Sequence, residues 1–158
     1  MNKRTFPVWK TVEIGSYKSA DEILEALITG GFRVNERAAE VLERIPVSGA
    51  GTKIETSLLR VGDFGFMFPA RYDRLCERVK ERTPNILQAI VAPYLRLQYR
   101  EQPIGEYIIV IMEPVSDLDY LPAVFSVENI RGEGLQLNAY CGEYDYLWVP
   151  ETRILVAR

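Results

Sequence analysis

Histidine is absent from the 158 residues. That absence removes Ser-His-Asp and Cys-His nucleophilic sites, HExxH metalloproteases and any zinc site built on imidazole. Cysteine is scarce: Cys76 and Cys141 lie far apart with no CxxC, so neither a zinc ribbon nor a thioredoxin-type motif is available. No run reaches the roughly 18–20 unbroken apolar residues of a membrane-spanning helix. Met1-Asn2-Lys3-Arg4 is followed by no apolar stretch, so no signal peptide is read and a cytoplasmic location is expected. Positive charge is not in surplus either. With 19 Lys and Arg against 22 Asp and Glu the net charge is −3, and no general attraction to nucleic acid or anionic lipid is expected. What remains is 47% hydrophobic, 26% charged and 11% aromatic, a globular composition whose length suits one domain over residues 1–158. Nothing in it calls for a cofactor.

Residues 8–14 alternate into a short strand ending at Gly15. Ser19-Ala20-Asp21-Glu22 has the form of a capping box, and Ile23, Leu24, Leu27 and Ile28 follow on one helical stripe until Gly30-Gly31. Asn35 is a good N-cap for a second helix, with Ala38, Val41, Leu42 and Ile45 at i, i+3, i+4, i+7 before Pro46. Residues 53–61 read as a strand. A third helix spans about 69–82, with Tyr72, Leu75, Cys76 and Val79 in the same phase. Pro93 is read as closing a short segment, after which the period becomes two. Leu95, Leu97 and Tyr99 alternate with Arg96, Gln98 and Arg100, Gln102-Pro103-Ile104-Gly105 turns, and 107–112 reads as a central strand. A second hairpin covers 123–141, and a final pair covers 146–149 and 153–157. The expected class is α+β: N-terminal helices at about 19–30, 35–45 and 69–82 packed on a mostly antiparallel C-terminal meander over about 94–157.

The run Leu95-Arg96-Leu97-Gln98-Tyr99-Arg100-Glu101-Gln102-Pro103-Ile104-Gly105-Glu106, followed by Ile111-Met112-Glu113-Pro114, resembles a block shared by a family of small uncharacterised bacterial proteins. The opening Phe6-Pro7-Val8-Trp9-Lys10-Thr11 and the first helix with Gly30-Gly31 resemble it too. The resemblance implies a bacterial, intracellular, single-domain protein and transfers no active site. Residues 85–92 depart from that family, which carries a Cys-Pro segment there.

Several groups of residues carry chemistry. On a strand, Arg96, Gln98 and Arg100 point one way, their end Cα atoms about 14 Å apart, a spacing that suits an anion or carboxylate site; a solvated sheet face with ordinary ion pairs is the plainer reading. Arg71, Arg74, Arg78 and Arg82 make a helical stripe that can track phosphates, but Asp73, Glu77 and Glu81 interleave with it. Helices one and two have helix-turn-helix spacing, yet Glu36, Glu40 and Glu43 carry the wrong sign for DNA. With histidine missing, metal chemistry falls to Glu113, Asp117 and Asp119, a set that also suits a Pro-containing turn. Cys76 and Cys141 fall in phase with apolar neighbours and read as inert thiols. Tyr140, Tyr144, Tyr146 and Trp148 gather aromatic surface of the kind favoured in recognition.

The function expected is a non-catalytic binding or interaction module using Arg96, Gln98, Arg100, Tyr144 and Trp148. Its candidate partners are another protein or a small anionic ligand, with nucleic acid and membrane disfavoured. The alternative is a Mg²⁺-dependent enzyme on an anionic or phosphorylated substrate, with Glu113, Asp117 and Asp119 as ligands.

Overall fold

Local signals place the first helices. In the computed structural model, which describes residues 6–143 and 146–158, the Ser19 hydroxyl accepts from the Glu22 N–H at 3.2 Å and the Glu22 carboxylate accepts from the Lys18 N–H. Helix α1 (Ala20–Thr29) follows. Asn35 Oδ1 accepts from the Ala38 N–H at 2.7 Å and starts α2 (Glu36–Arg44). Helix α3 (Tyr72–Arg82) buries Tyr72, Leu75 and Val79. It begins later than expected, because Ala70–Arg71 is drawn out as a short strand.

The strand expected over 94–100 is overturned: residues 94–98 end helix α4 (Val91–Gln98) and 99–100 enter the turn after it. Two readings failed for physical reasons. Pro93 does not end a segment but sits in the first turn, where its missing N–H has no helical partner to lose. The alternation of Leu95, Leu97 and Tyr99 with polar residues suggested a solvated face, yet every residue from Val91 to Arg96 is buried. A helix enclosed on nearly all sides shows no 3.6-residue stripe.

The strands are β1 (Lys10–Ile14), β2 (Arg33–Val34), β3 (Thr52–Arg60), β4 (Ala70–Arg71), β5 (Tyr107–Val110), β6 (Val115–Ser116), β7 (Pro122–Ile130), β8 (Gly134–Cys141), β9 (Leu147–Trp148) and β10 (Arg153–Ala157). The main sheet runs β1-β3-β10-β5-β7-β8-β2, with β6 also on β7. Its pairings are antiparallel except β10 with β5 and β2 with β8. The α+β class therefore holds, whereas the C-terminal meander does not. The N-terminal strands β1 and β3 complete one side of the sheet, and only β7–β8 is the expected hairpin, running from Ala123↔Cys141 to Ile130↔Gly134. The expected final pair is also corrected. Strand β9 leaves to pair with β4, while β10 inserts between β3 and β5.

Helices α2 and α4 lie on the sheet, α1 lies on both of them, and α3 sits against β4 and the 3₁₀ turn Val61–Phe64. One contiguous apolar core joins them, including Ile23, Leu27, Leu42, Leu95, Ile108 and Phe125. Among the described residues no helix is long and apolar enough to cross a membrane.

Candidate functional site

The helical reading of 91–98 disperses the basic face expected there. Arg96 is completely buried. Its Nη1 donates to Gln102 Oε1 at 2.5 Å, to the Glu128 carbonyl at 3.0 Å and to the Gln136 carbonyl at 3.4 Å, and its Nη2 donates to the Tyr99 carbonyl. Burial pulls its pKa down to about 10, so it remains charged at neutral pH. Gln98 works at an edge. Its amide donates to the Glu13 carbonyl at 2.6 Å and accepts from the Glu13 N–H at 3.0 Å, covering the open side of β1 as a strand would. Arg100 donates to the Gly30 carbonyl and lies 4.6 Å over the Phe32 ring, with Arg96 at 5.2 Å from the same ring.

The rest of that block is equally committed to the fold. Gln102 donates to the Val127 carbonyl, its own carbonyl accepts from Asn129, and the Tyr99 hydroxyl donates to Glu106, whose other oxygen pairs with Arg153. These contacts staple the loop after α4 to β7.

Nor are the carboxylates proposed for metal brought to one point. Glu113 pairs with Lys80 at 3.0 Å. Asp117 is buried, accepts from the N–H groups of Asp119 and Leu121, and pairs with Arg37 at 3.2 Å. Asp119 thus enters the turn through its backbone. Among the described residues no group of three or more His, Cys, Asp or Glu side chains is placed to hold a metal ion. The arginines expected as a stripe on the third helix are likewise paired: Arg71, now in β4, with Asp73, Arg74 with Glu77, Arg78 with Glu81, while Arg82 donates to the Asp63 carbonyl. Both cysteines are free and half-buried, and burial pushes the Cys76 thiol up to about 11.

The aromatic segment is where surface and chemistry meet. Tyr144 lies outside the described residues. Trp148 is buried rather than presented, packed 4.9 Å from the Tyr146 ring and 6.3 Å from Tyr72. Because side chains alternate along a strand, burying Trp148 turns Leu147 and Val149 outward. The pairing Ala70↔Trp148 and Arg71↔Leu147 brings the Met67-Phe68 segment alongside. Met67 is 84% exposed, Phe68 77% and Leu147 56%, with Val149 and Tyr146 also exposed. Five large apolar or aromatic side chains thus stand in solvent on the β4–β9 ribbon or in the residues flanking it.

Beside the ribbon, strands β7 and β8 form a polar cluster that the sequence analysis did not single out. Glu128 pairs with Gln136 and Ser126 with Asn138 in the register, so all four side chains share one face. Glu128 and Asn138 are each only 5% exposed. Glu128 Oε2 accepts from Asn138 Nδ2 at 2.7 Å, Ser126 Oγ at 2.9 Å and the Tyr140 hydroxyl at 3.0 Å. Its Oε1 has one longer contact, 3.2 Å from the same hydroxyl. Among the described residues no cation lies within ion-pair distance of this carboxylate. Tyr107 of β5 packs edge-on against Tyr140 at 5.7 Å. Burial, then the Glu128 charge, push Tyr140 up to about 12; burial also raises Tyr107, and Tyr146 is near enough to act on both. The signal for this cluster was present as Ser126, Glu128, Gln136, Asn138 and Tyr140 at period two, but that pattern also describes a solvated sheet face.

Two grooves flank the connection between α3 and α4. One, of about 530 Å³, runs between Ile45, Pro46, Ile86, Leu87 and Val115, with Arg44 and the Lys80–Glu113 pair at its lining. The other, of about 820 Å³, lies between that connection and Thr52–Glu55 of β3. Compared with protein-family models, curated protein sequences and solved structures, the chain matches none of them.

Proposed function

We propose that the chain is a non-catalytic module that binds a protein partner through the β4–β9 ribbon. The observation that supports this reading is the exposed apolar set Met67, Phe68, Tyr146, Leu147 and Val149, brought together by a pairing between segments far apart in sequence. Apolar side chains scattered singly over a surface are ordinary, whereas several exposed around one short strand pairing favour an interaction site. Each of these side chains gains roughly 1.5–3 kcal/mol if a partner buries it fully. The partner suited to the surface is an extended peptide segment with apolar anchors, since a narrow ribbon offers an edge rather than a deep groove.

The test is selection of peptides from a displayed random library on the full chain. Enriched peptides are then measured against Phe68→Ser/Leu147→Ser and against Ile104→Ser, an exposed apolar residue elsewhere. The expected result is at least a tenfold loss of affinity in the ribbon variant, about 1.4 kcal/mol, and none in the control. Peptides that bind the ribbon variant as well as the parent, or no enrichment at all, would refute the reading.

A further inference from the structure

A buried carboxylate is costly unless a cation or a full set of donors compensates it. Glu128 has neither. Its three partners, Ser126, Asn138 and Tyr140, are neutral, and they crowd one oxygen while Oε1 keeps a single contact of 3.2 Å. Beside it, Asn138 Oδ1 is buried and has no hydrogen-bond partner among the described residues. That oxygen is not misplaced, because the Asn138 amide nitrogen is already donating to Glu128 Oε2 and Gln136 Oε1. Two acceptors here are therefore under-supplied among the described residues: Asn138 Oδ1, which has no donor, and the charged Glu128 Oε1, which has only the Tyr140 hydroxyl. The rings of Tyr107 and Tyr140 meet beside them and are only half-buried, so the cluster reaches the surface there. Aromatic faces carry the negative end of the ring quadrupole and attract cations.

We infer that the Glu128 cluster is a binding site for a cationic nitrogen with several N–H donors, presented by a lysine side chain of the partner. An ammonium group supplies three donors for these acceptors and one positive charge for a carboxylate whose present partners are all neutral. Tyr107 and Tyr140 flank the alkyl stem and face the charge. Tyr146 joins this site to the ribbon, its ring lying 4.9 Å from Trp148. The assignment to a partner's lysine rests on the ribbon reading above, while the cation site itself is tested without it.

The ¹⁵N-labelled full chain is titrated with propylammonium chloride and with Nα-acetyl-lysine amide, against sodium chloride at matched ionic strength and Nα-acetyl-norleucine amide. The expected result is a saturable shift of the amides of 107, 126–128 and 138–140 with a dissociation constant in the millimolar range. The shift weakens at least about tenfold in Glu128→Gln and is unchanged in Ile28→Ser, an exposed apolar residue on α1. If Glu128→Gln does not fold, Tyr107→Leu, which removes one wall, replaces it and must weaken the shift at least about threefold. No saturable shift up to about 100 mM, an equal shift with norleucine amide, or equal affinity in the variant overturns the site. A response at these amides to Mg²⁺ or Ca²⁺ at concentrations below the amine's overturns it in favour of a metal. Propylammonium binding without acetyl-lysine amide binding overturns the lysine source, leaving a small free amine. Selected peptides that depend on Phe68 and Leu147 but ignore Glu128→Gln overturn the site and leave the ribbon reading standing.

Discussion

Replacing Arg96 by methionine tests whether the interior assigned to it is real. Methionine keeps much of the apolar stem and removes every donor. Left behind are Gln102 Oε1 and the Tyr99 carbonyl, which lose a charged partner, and the carbonyls of Glu128 and Gln136, for which Arg96 is a further donor. An unsatisfied buried polar group costs about 1–3 kcal/mol. Two fully orphaned acceptors, offset in part by no longer burying a guanidinium, give an expected loss of about 3–5 kcal/mol. For a chain of this size that lowers Tm by roughly 6–20 °C without unfolding the protein at room temperature. Urea denaturation followed by circular dichroism and tryptophan fluorescence measures it. A solvent-facing arginine on a sheet would cost within about 0.5 kcal/mol, so a loss under about 1 kcal/mol refutes the argument. The double variant with Gln102→Ala adds a second check. Since both single changes break the same 2.5 Å bond, their losses must sum to more than the double loss; additivity within about 0.5 kcal/mol also refutes it.

Two further outcomes follow from named contacts. Asp117→Ala should cost about 2–3 kcal/mol, because it removes the acceptor for two backbone N–H groups and the partner of Arg37, whereas Asp117→Asn should cost less than half as much; equal losses in thermal unfolding would contradict the turn role. Cys76, read in a Cys141→Ser background, should react slowly with a thiol reagent at pH 7.4, since a thiol titrating at about 11 is only about 0.03% thiolate there, and its rate should climb with pH toward that value; complete labelling within seconds at pH 7.4 would contradict its burial.

What the sequence discloses follows the range of each interaction. Ser19, Asn35 and the apolar stripes act over four to seven positions, so the starts of α1 and α2 and most of the buried faces were legible from the residues alone. Helix α3, with no side-chain cap, starts later than expected, and Ile28 of the first stripe is exposed. The β7–β8 hairpin was legible for the same reason, its turn and alternation being local. Helix α4 was not, because the rule that a charged residue faces water fails for Arg96, whose acceptors come from 32 and 40 positions away as well as from nearby. Strand β9 was misassigned because its partner is β4 rather than the neighbouring β10, and short strands carry no signal for a distant partner. Of the proposed site, the sequence singled out the Tyr144–Trp148 segment, of which Trp148 proves buried and Tyr144 lies outside the described residues, while Met67 and Phe68 carried no such signal. Glu128 was invisible because a polar residue at period two looks the same whether water or protein covers it.

Glu128 and Arg96 meet at one backbone position and still differ in what they do. The Glu128 carbonyl holds Arg96, while its side chain gathers Ser126, Asn138 and Tyr140. Each residue buries a charge among neutral partners, and among the described residues a polar atom beside each lacks one: Arg96 Nε in the first case and Asn138 Oδ1 in the second. The difference is access. Arg96 is fully enclosed beneath Phe32, so its missing bond is only a cost to the fold, offset by its other donors. Asn138 and Glu128 lie under two half-exposed tyrosines, where a ligand that brings donors can complete the set. Exchanging Arg96 should therefore register in stability with no ligand present, whereas exchanging Glu128 for glutamine should register chiefly when a cation is added.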